Sequence, residues 1–467
     1  MERMQSIPTT NPVQADTRAD VAMSAEDPLL PSLQSHSTAQ ACTAWGSVFT
    51  MLNAAIGAGV LSFPYAFRET GLALGLVLTF VCAGLMYTTL QILVQAALRY
   101  RVHTYSQVVQ RCLGKPVSLV LACITLTYQL GSCTAYMIIV GTTVRRFLVL
   151  QDLPWEIMKT RAFAVISSSV VILLPLSMPR SLGALSLLSS LTLYILIYLG
   201  ILVTTHAIPE LEKEKGLGHI KLVDFDHAWK AIPIIVFAFQ CHVQGPIVSS
   251  ELRDDASLNP CAKPGRVKLG LRDKCRLMSI ICAISMSLVL IAYCVVGTFG
   301  YVEFGSSTMS NILLNYPKDD VMANIAMGGM GLVGIVSFPV NINPGKHALN
   351  HLYCWIFNKK NDPTSRSRHV LQTLLIFLVS LSLAVSVDML GSVFHAVGGT
   401  AGALMIFVCP GLIALKPTMV RSLSIALPPE QESVLGPLPY DWWTLSKSYF
   451  LVIFGLLLLW NTLGAYL

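Results

Sequence analysis

The chain has 467 residues, of which 54% are hydrophobic and only 12% are charged. A soluble domain usually carries about 25% charged residues, so this composition excludes a soluble globular protein and predicts a chain that crosses a membrane several times. The formal net charge of +7 is typical of loop cations that orient a membrane protein, so we expect a lipid bilayer around the chain and no nucleic-acid partner.

The first 43 residues differ from the rest of the chain. They are rich in Ser, Thr, Pro, Asp and Gln and contain few apolar side chains to bury, which predicts disorder. They lack the apolar centre and the small-residue cleavage site of a signal peptide. The sequence therefore predicts a disordered tail, residues 1–43, followed by a transmembrane domain, residues 44–467.

Eleven apolar runs follow, each close to the roughly 20 residues that a helix needs to cross a bilayer. They are 44–66, 72–98, 117–143, 162–178, 182–205, 228–249, 275–300, 321–343, 369–388, 391–415 and 442–466. Lys and Arg concentrate in cytosolic loops, and 22 of the 32 lie on one side if the N-terminus is cytosolic. We expect an all-α membrane protein with 11 transmembrane helices and a cytosolic N-terminus.

The first run contains the stretch "LNAAIGAGVLSFPYAF", residues 52–67, which predicts an interrupted helix. Gly57 and Gly59 lower the cost of leaving the helix, and Pro64 removes a backbone donor. Unwinding persists in lipid only where other groups replace the lost hydrogen bonds. The freed amides of Gly57, Ala58 and Gly59 can bind a carboxylate, and the carbonyls before them can bind a cation. The alternative is a close contact between helices, which small residues also permit.

The sixth run, "PIIVFAFQCHVQGPIVSSEL", is interrupted as well, with Gln240 and His242 in its middle. An ionisable residue inside a membrane is a functional candidate, so His242 is predicted to line a pathway; the alternative is a satisfied structural histidine. A pair of interrupted helices at corresponding positions indicates a transporter binding site. The positions of the two interrupted runs, first and sixth, are consistent with two halves of five spans each and one added helix.

The eighth run, "GLVGIVSFPVNINPGK", places Gly334 and Ser337 on one face of a helix. The Ser337 hydroxyl and a backbone carbonyl can complete an all-oxygen site for a hard cation with the first span, unless the hydroxyl bonds back to its own helix. No carboxylate lies near the centre of a predicted span, which favours Na⁺ over a carboxylate proton relay. We find no ATP-binding loop and no nucleophile with a base, so an enzyme is not expected.

These stretches resemble the sodium-coupled neutral amino acid transporter family, within the amino acid/auxin permeases. The resemblance runs from about Ala44 to the end of the last span. Within the family, the chain is similar to the branch that contains the lysosomal glutamine exporter. The motifs that carry it are "NAAIGAGVLSFPYAF" (53–67), "TYSQVVQRCLG" (104–114), "LPLSMPR" (174–180), "FAFQCHV" (237–243) and "GGTAGALMIFVCPGL" (398–412).

The resemblance implies a LeuT-like fold, in which a 5+5 inverted repeat with one extra helix works by alternating access. The family's first-span Asn, implicated in Na⁺ and substrate binding, matches Asn53. Its eighth-span Thr, a sodium ligand, falls on Ser337 when Pro339 and Pro344 are matched to the family's proline pair. Serine keeps the hydroxyl that such a site needs.

The resemblance does not decide between two cellular membranes as the location of the protein. The lysosomal branch often carries an acidic dileucine signal, and "AEDPLLPS" contains the pair Leu29-Leu30. The acid that would complete the signal, Glu26, is one place too close to that pair. The plasma membrane and the lysosomal membrane therefore both remain possible locations.

The sequence as a whole predicts a secondary active transporter of neutral, glutamine-like amino acids that works by Na⁺-coupled symport. The alternatives are an H⁺-coupled or uncoupled amino acid exporter through the same site, and an amino-acid-sensing receptor that signals through a cytosolic partner of the tail. The predicted substrate-binding residues are Asn53, Gly57, Ala58, Gly59, Phe239, Gln240 and His242. The predicted ligands of the co-transported Na⁺ are Asn53, Ile56, Gly334 and Ser337.

Overall fold

The computed structural model describes residues 43–151, 155–179, 183–212, 220–252, 271–359, 365–422 and 442–466. The predicted tail lies outside these ranges apart from Thr43. The helices of the described chain are α1 (Ala44–Ala55), α2 (Phe63–Thr70), α3 (Leu72–Tyr100), α4 (Tyr105–Leu113), α5 (Lys115–Leu150), α6 (Arg161–Ser177), α7 (Gly183–Glu212), α8 (Ala228–Ala238), α9 (Gln244–Glu251), α10 (Leu271–Phe304), α11 (Val321–Ile356), α12 (Arg366–Ser386), α13 (Leu390–Val397), α14 (Cys409–Ser422) and α15 (Trp442–Gly464).

Most of these helices suit a bilayer. Eight helices of the described chain are long and apolar enough to cross a membrane, and a ninth results if the bent segment 44–70 counts as one span. Their outward side chains are apolar, as Phe80 at 58% exposure and Ile291 at 60% show. An all-helical membrane protein is thereby confirmed.

Two predicted spans differ from this pattern. The predicted spans 162–178 and 228–249 contain α6 and α8, which are shorter apolar helices of 10–17 residues. A helix of 11 residues such as α8 rises only about 16 Å and cannot cross the roughly 30 Å hydrocarbon core alone. The count of eleven crossings therefore stays a prediction.

The first predicted break is present between α1 and α2. Thr43 caps α1 by accepting a hydrogen bond from the Gly46 amide, and the helix stops where Ile56 takes an extended conformation. Gly57 is extended too, and a 3₁₀ turn over Ala58–Ser62 leads into α2. The two halves bend by 47°, so the polypeptide leaves the helix at the glycines that the sequence indicated.

The second predicted break separates α8 from α9. The helix α8 ends at Ala238, and the next helix begins only at Gln244. Residues 239–243 form an irregular turn between them. Both interrupted segments thus end a short helix near the middle of an apolar run, and each leaves backbone groups that need other partners.

Two groups of helices meet at these breaks. In one group, α10 packs against α1, α2 and α3, and α8 packs against α2. In the other group, α5 packs along α11 and also contacts α6 and α12. The 3₁₀ turn of the first break contacts α5, α8 and α10, so the breaks lie where the two groups face each other.

The segment that follows α13 departs from α-helical geometry. Two π-helical turns, Gly398–Gly402 and Leu404–Val408, connect α13 to α14. The buried side chain of Tyr105, at the start of the short helix α4, donates a hydrogen bond of 2.6 Å to the Met405 carbonyl in the second π-turn. The "TYSQ" motif therefore anchors this irregular part of the helix.

Candidate functional site

A narrow cavity of about 30 Å³ lies where the two breaks meet. This volume holds one or two water molecules, so the surrounding helices must move apart before a whole amino acid can enter. None of the residues that line it carries a charge. They are Ala54, Ala55, Gly57, Ala58, Gly59, Tyr128, Ser132, Tyr136, Phe237, Ala238, Gln240 and Asn341.

The predicted carboxylate-binding stretch forms one wall of this cavity and is in close contact with its neighbours. A Cβ atom added at Gly57 would lie 2.9 Å from the Tyr136 hydroxyl oxygen. A Cβ atom added at Gly59 would lie 2.4 Å from the Cβ of Ala238, on the other interrupted segment. The two glycines therefore agree with both interpretations of the sequence, because they sit at a break in the helix and also allow close approach.

Tyr136 is a residue of this site that the sequence patterns did not single out. It lies on α5, and its hydroxyl is near the Ala58 backbone and the Ser337 and Asn341 side chains. The Asn341 side chain donates in turn to the Ser337 carbonyl at 3.0 Å. One hydroxyl thus connects the predicted substrate stretch with a predicted sodium ligand.

A spacing in the sequence could have revealed this face of α5. Tyr128, Ser132 and Tyr136 recur every four residues within an apolar run, so they lie on one side of a helix. All three line the cavity. Their hydroxyls give it a polar wall without charge, which suits a zwitterionic ligand whose charges are met by backbone dipoles.

Two tyrosine hydroxyls form hydrogen bonds with backbone carbonyls at the second break. The Tyr128 hydroxyl donates to the Phe237 carbonyl at 3.0 Å. The Tyr293 hydroxyl is 3.1 Å from the Ala238 carbonyl oxygen and 2.8 Å from the Ala55 carbonyl oxygen. The last carbonyls of α8 are therefore already hydrogen-bonded within the protein.

The other predicted residues of the sixth run fall in different places. Gln240 lines the cavity, and its Nε2 atom is buried without a hydrogen-bond partner in the described chain. Phe239 is fully buried, with its ring 5.9 Å from that of Phe63. It is not among the cavity-lining residues in this conformation.

His242 points to a different neighbour. It is fully buried, and its Nε2 atom lies 2.9 Å from the Thr89 hydroxyl on α3. Its Nδ1 atom has no hydrogen-bond partner among the described residues. The side chain does not line the cavity, so in this conformation it is packed between helices and does not face the proposed ligand.

The predicted sodium ligands lie on α1, at the first break and on α11. The Asn53 Oδ1 atom is buried and lacks a hydrogen-bond partner in the described part of the chain. Ile56 is buried at the end of α1. A Cβ atom at Gly334 would lie 2.9 Å from Val140 on α5. Among the described residues, no group of three His, Cys, Asp or Glu could hold a metal ion.

Known proteins are similar to this chain in sequence. The model of a family described as "Transmembrane amino acid transporter protein" matches residues 40–264 and 268–426. The chain is 29% identical over 403 residues to "Sodium-coupled neutral amino acid transporter 7" of Danio rerio, covering 84% of this chain and 82% of the relative. It is 28% identical over 434 residues to the protein of that name from Homo sapiens, covering 90% and 85%.

Solved structures show a similar fold. MhsT in complex with L-phenylalanine superimposes with a TM-score of 0.56 at 11% identity, over 92% of this chain and 99% of that one. A manganese transporter of Eremococcus coleocola in complex with an aromatic bis-isothiourea compound gives a TM-score of 0.50 at 11% identity, over 94% and 98%. At such identities the likeness concerns the fold alone, and it agrees with the all-helical fold that the sequence predicts.

Proposed function

The chain belongs to the family of transmembrane amino acid transporter proteins, and from this premise we propose that it moves neutral, glutamine-like amino acids by symport with Na⁺. Amino acid transport follows from the family and its relatives, which are transporters and not enzymes. The observation that carries the finer proposal is the uncharged cavity at two facing helix breaks. It offers backbone amides, carbonyls and hydroxyls to a ligand with both charges.

The substrate carboxylate binds at the first break. The amides of Gly57, Ala58 and Gly59 lie at the start of the 3₁₀ turn that leads into α2, at the positive end of a helical segment where anions are favoured. The Tyr136 hydroxyl, next to the Ala58 backbone, adds a donor beside them. Together they support a carboxylate without any positively charged side chain.

The substrate ammonium binds at the second break. The carbonyls of Phe237 and Ala238 already accept hydrogen bonds from Tyr128 and Tyr293. The ammonium therefore binds the next carbonyls along the chain, near Phe239 and Gln240. The end of α8 carries a partial negative charge, which favours a cation at this place. His242 enters the pathway only if the helices rearrange.

The co-transported Na⁺ binds between α1 and α11. Its proposed ligands are oxygens of Asn53, Ile56, Gly334 and Ser337, which match the preference of a hard cation. The buried, unpartnered Oδ1 of Asn53 supports this assignment. The Tyr136 hydroxyl lies near both Ser337 and the Ala58 backbone, so binding of the ion can influence binding of the substrate.

The transport cycle fits alternating access between the two helix groups. We place the N-terminus in the cytosol and count eleven crossings as a 5+5 repeat with one added helix, in which α6 and the pair α8–α9 supply the two short spans. The group with the broken helices moves against the group around α5 and opens the cavity to one side at a time. The plasma membrane and the lysosomal membrane both suit this scheme.

Flux measurements on the full chain in proteoliposomes test the proposal. Radiolabelled glutamine should accumulate when a Na⁺ gradient is imposed and should not follow a pH gradient applied alone. Uptake driven by pH, or indifferent to both gradients, would favour the H⁺-coupled or uncoupled exporter. Deletion of residues 1–43 should leave uptake intact, whereas a receptor would lose a cytosolic partner and show no flux in either form.

A further inference from the structure

A single tyrosine on α10 contacts both interrupted helices at the residue where each stops. Tyr293 is completely buried, and its hydroxyl is 2.8 Å from the Ala55 carbonyl oxygen and 3.1 Å from the Ala238 carbonyl oxygen. Ala55 is the last residue of α1, and Ala238 is the last residue of α8. One side chain from a third helix therefore joins two helix ends that are far apart in the sequence.

This hydroxyl replaces hydrogen bonds that the breaks remove. The last carbonyls of a helix have no partner inside it, and leaving them unsatisfied within a membrane is costly. One O–H has one proton, which two carbonyls can share in a three-centre bond. The Gly57 backbone also lies near this hydroxyl. Tyr293 thus serves both breaks at once.

The ring of Tyr293 packs against aromatic rings of both interrupted segments. Its centroid lies 4.3 Å from that of Phe63 on α2 and 5.0 Å from that of Phe239 after α8. Gly59 and Ala238, one on each segment, are in close contact as well. With its ring fixed between the two segments, the hydroxyl has a defined position from which to hold both backbone ends.

We propose that Tyr293 is a positioning residue for transport, which sets the separation and orientation of the two breaks. The amides after Ala55 and the carbonyls after Ala238 face one substrate only while both ends keep this arrangement. The residue contacts the substrate only through the backbone that it holds. This inference rests on the proposed function for its transport readout, but its structural part can be tested without transport.

Tyr293→Phe keeps the ring and removes the hydroxyl. At saturating Na⁺ we expect the KM for the amino acid to rise about tenfold, as for the loss of a buried hydrogen bond, while the maximal rate per transporter in the membrane changes less than about twofold. The matched control is Tyr301→Phe on the same helix. Tyr301 is 2% exposed, and its hydroxyl accepts from the Lys221 amide at 3.1 Å, away from the breaks, so its KM should stay unchanged.

Hydrogen exchange of the purified, substrate-free protein supplies the second readout. Tyr293→Phe should speed exchange of the amides from Ile56 to Val60, and Tyr301→Phe should not. An unchanged KM and unchanged exchange in Tyr293→Phe would overturn the inference, even if both variants are less abundant. If wild-type protein transports no amino acid while the exchange result holds, the proposed function fails, and only the structural part of the inference stands, in which Tyr293 holds the two breaks together.

A variant with an intact ring and hydroxyl covers the case in which Tyr293→Phe does not reach the membrane. Site-specific 3-fluorotyrosine at position 293 has a more acidic, stronger donor. Because the hydroxyl would then hold the two carbonyls more tightly, exchange from Ile56 to Val60 should slow and KM should fall by about twofold. No change in either quantity would contradict the inference.

Discussion

Replacing Gly59 by alanine should force the two breaks apart. The new Cβ atom would lie 2.4 Å from the Ala238 Cβ and 2.6 Å from the Ala238 Cα, whereas carbon atoms that touch are about 3.5–4.0 Å apart. The two segments must therefore separate by roughly 1 Å. Overpacking of this kind costs about 1–3 kcal/mol, which corresponds to roughly a fivefold to hundredfold loss of substrate affinity if it falls on the substrate-bound state.

The measurement is uptake of radiolabelled glutamine in proteoliposomes at saturating Na⁺, with KM and the amount of inserted protein determined together. Gly84→Ala on α3 is the control, because a Cβ atom there meets nothing within 4 Å. Adding Ala238→Gly to Gly59→Ala removes the nearest clashing atom but leaves the clash with the backbone of residue 238, so it should restore only part of the affinity. Wild-type KM in Gly59→Ala, or a double variant no better than the single one, would refute the reasoning.

Four further predictions concern the site and the topology. Ser337→Ala should raise the half-saturating Na⁺ concentration about tenfold to a hundredfold through loss of a ligand oxygen, with Ser337→Thr close to wild type; an unchanged Na⁺ titration would contradict the ion site. Tyr136→Phe should weaken the apparent affinity for amino acid and for Na⁺ together in uptake assays, since its hydroxyl reaches both sites; an effect on only one would argue against a link. Gly57→Val should abolish uptake with normal surface labelling, because its Cβ meets the Tyr136 hydroxyl at 2.9 Å; near-normal uptake would displace the substrate from this wall. Protease protection should find an N-terminal tag in the cytosol and a C-terminal tag on the opposite side, and two tags on one side would mean an even number of crossings.

The positions of most of the long membrane helices and of both breaks could be predicted from the sequence. Apolar runs of sufficient length specify membrane helices because a bilayer tolerates little else. Gly57 and Gly59 mark the first break for a local reason, since glycine makes departure from a helix inexpensive. Gln240 lies at the second break for a similarly local reason, within a polar interruption of an apolar run.

The partners of the broken backbone could not be predicted in this way. A tyrosine in an apolar run is typical of a core aromatic, and only the packing of α10 and α5 against the breaks brings Tyr293 and Tyr136 to their carbonyls and amides. The orientation of the His242 side chain could not be predicted from the sequence either. An irregular turn follows α8, so helical spacing no longer determines which way the next side chains point, and His242 meets Thr89 on α3.

The consecutive π-turns between α13 and α14 have a consequence for comparing sequences across the family. A π-turn holds one residue more than an α-helical turn, and each extra residue rotates everything after it by about 100°. A relative that lacks one of these insertions would show a single-residue gap inside an unbroken apolar stretch, near Gly398–Gly402 or Leu404–Val408. Such a gap should be kept in an alignment and not closed, because the residues after the missing insertion would present a different face of the helix to its neighbours.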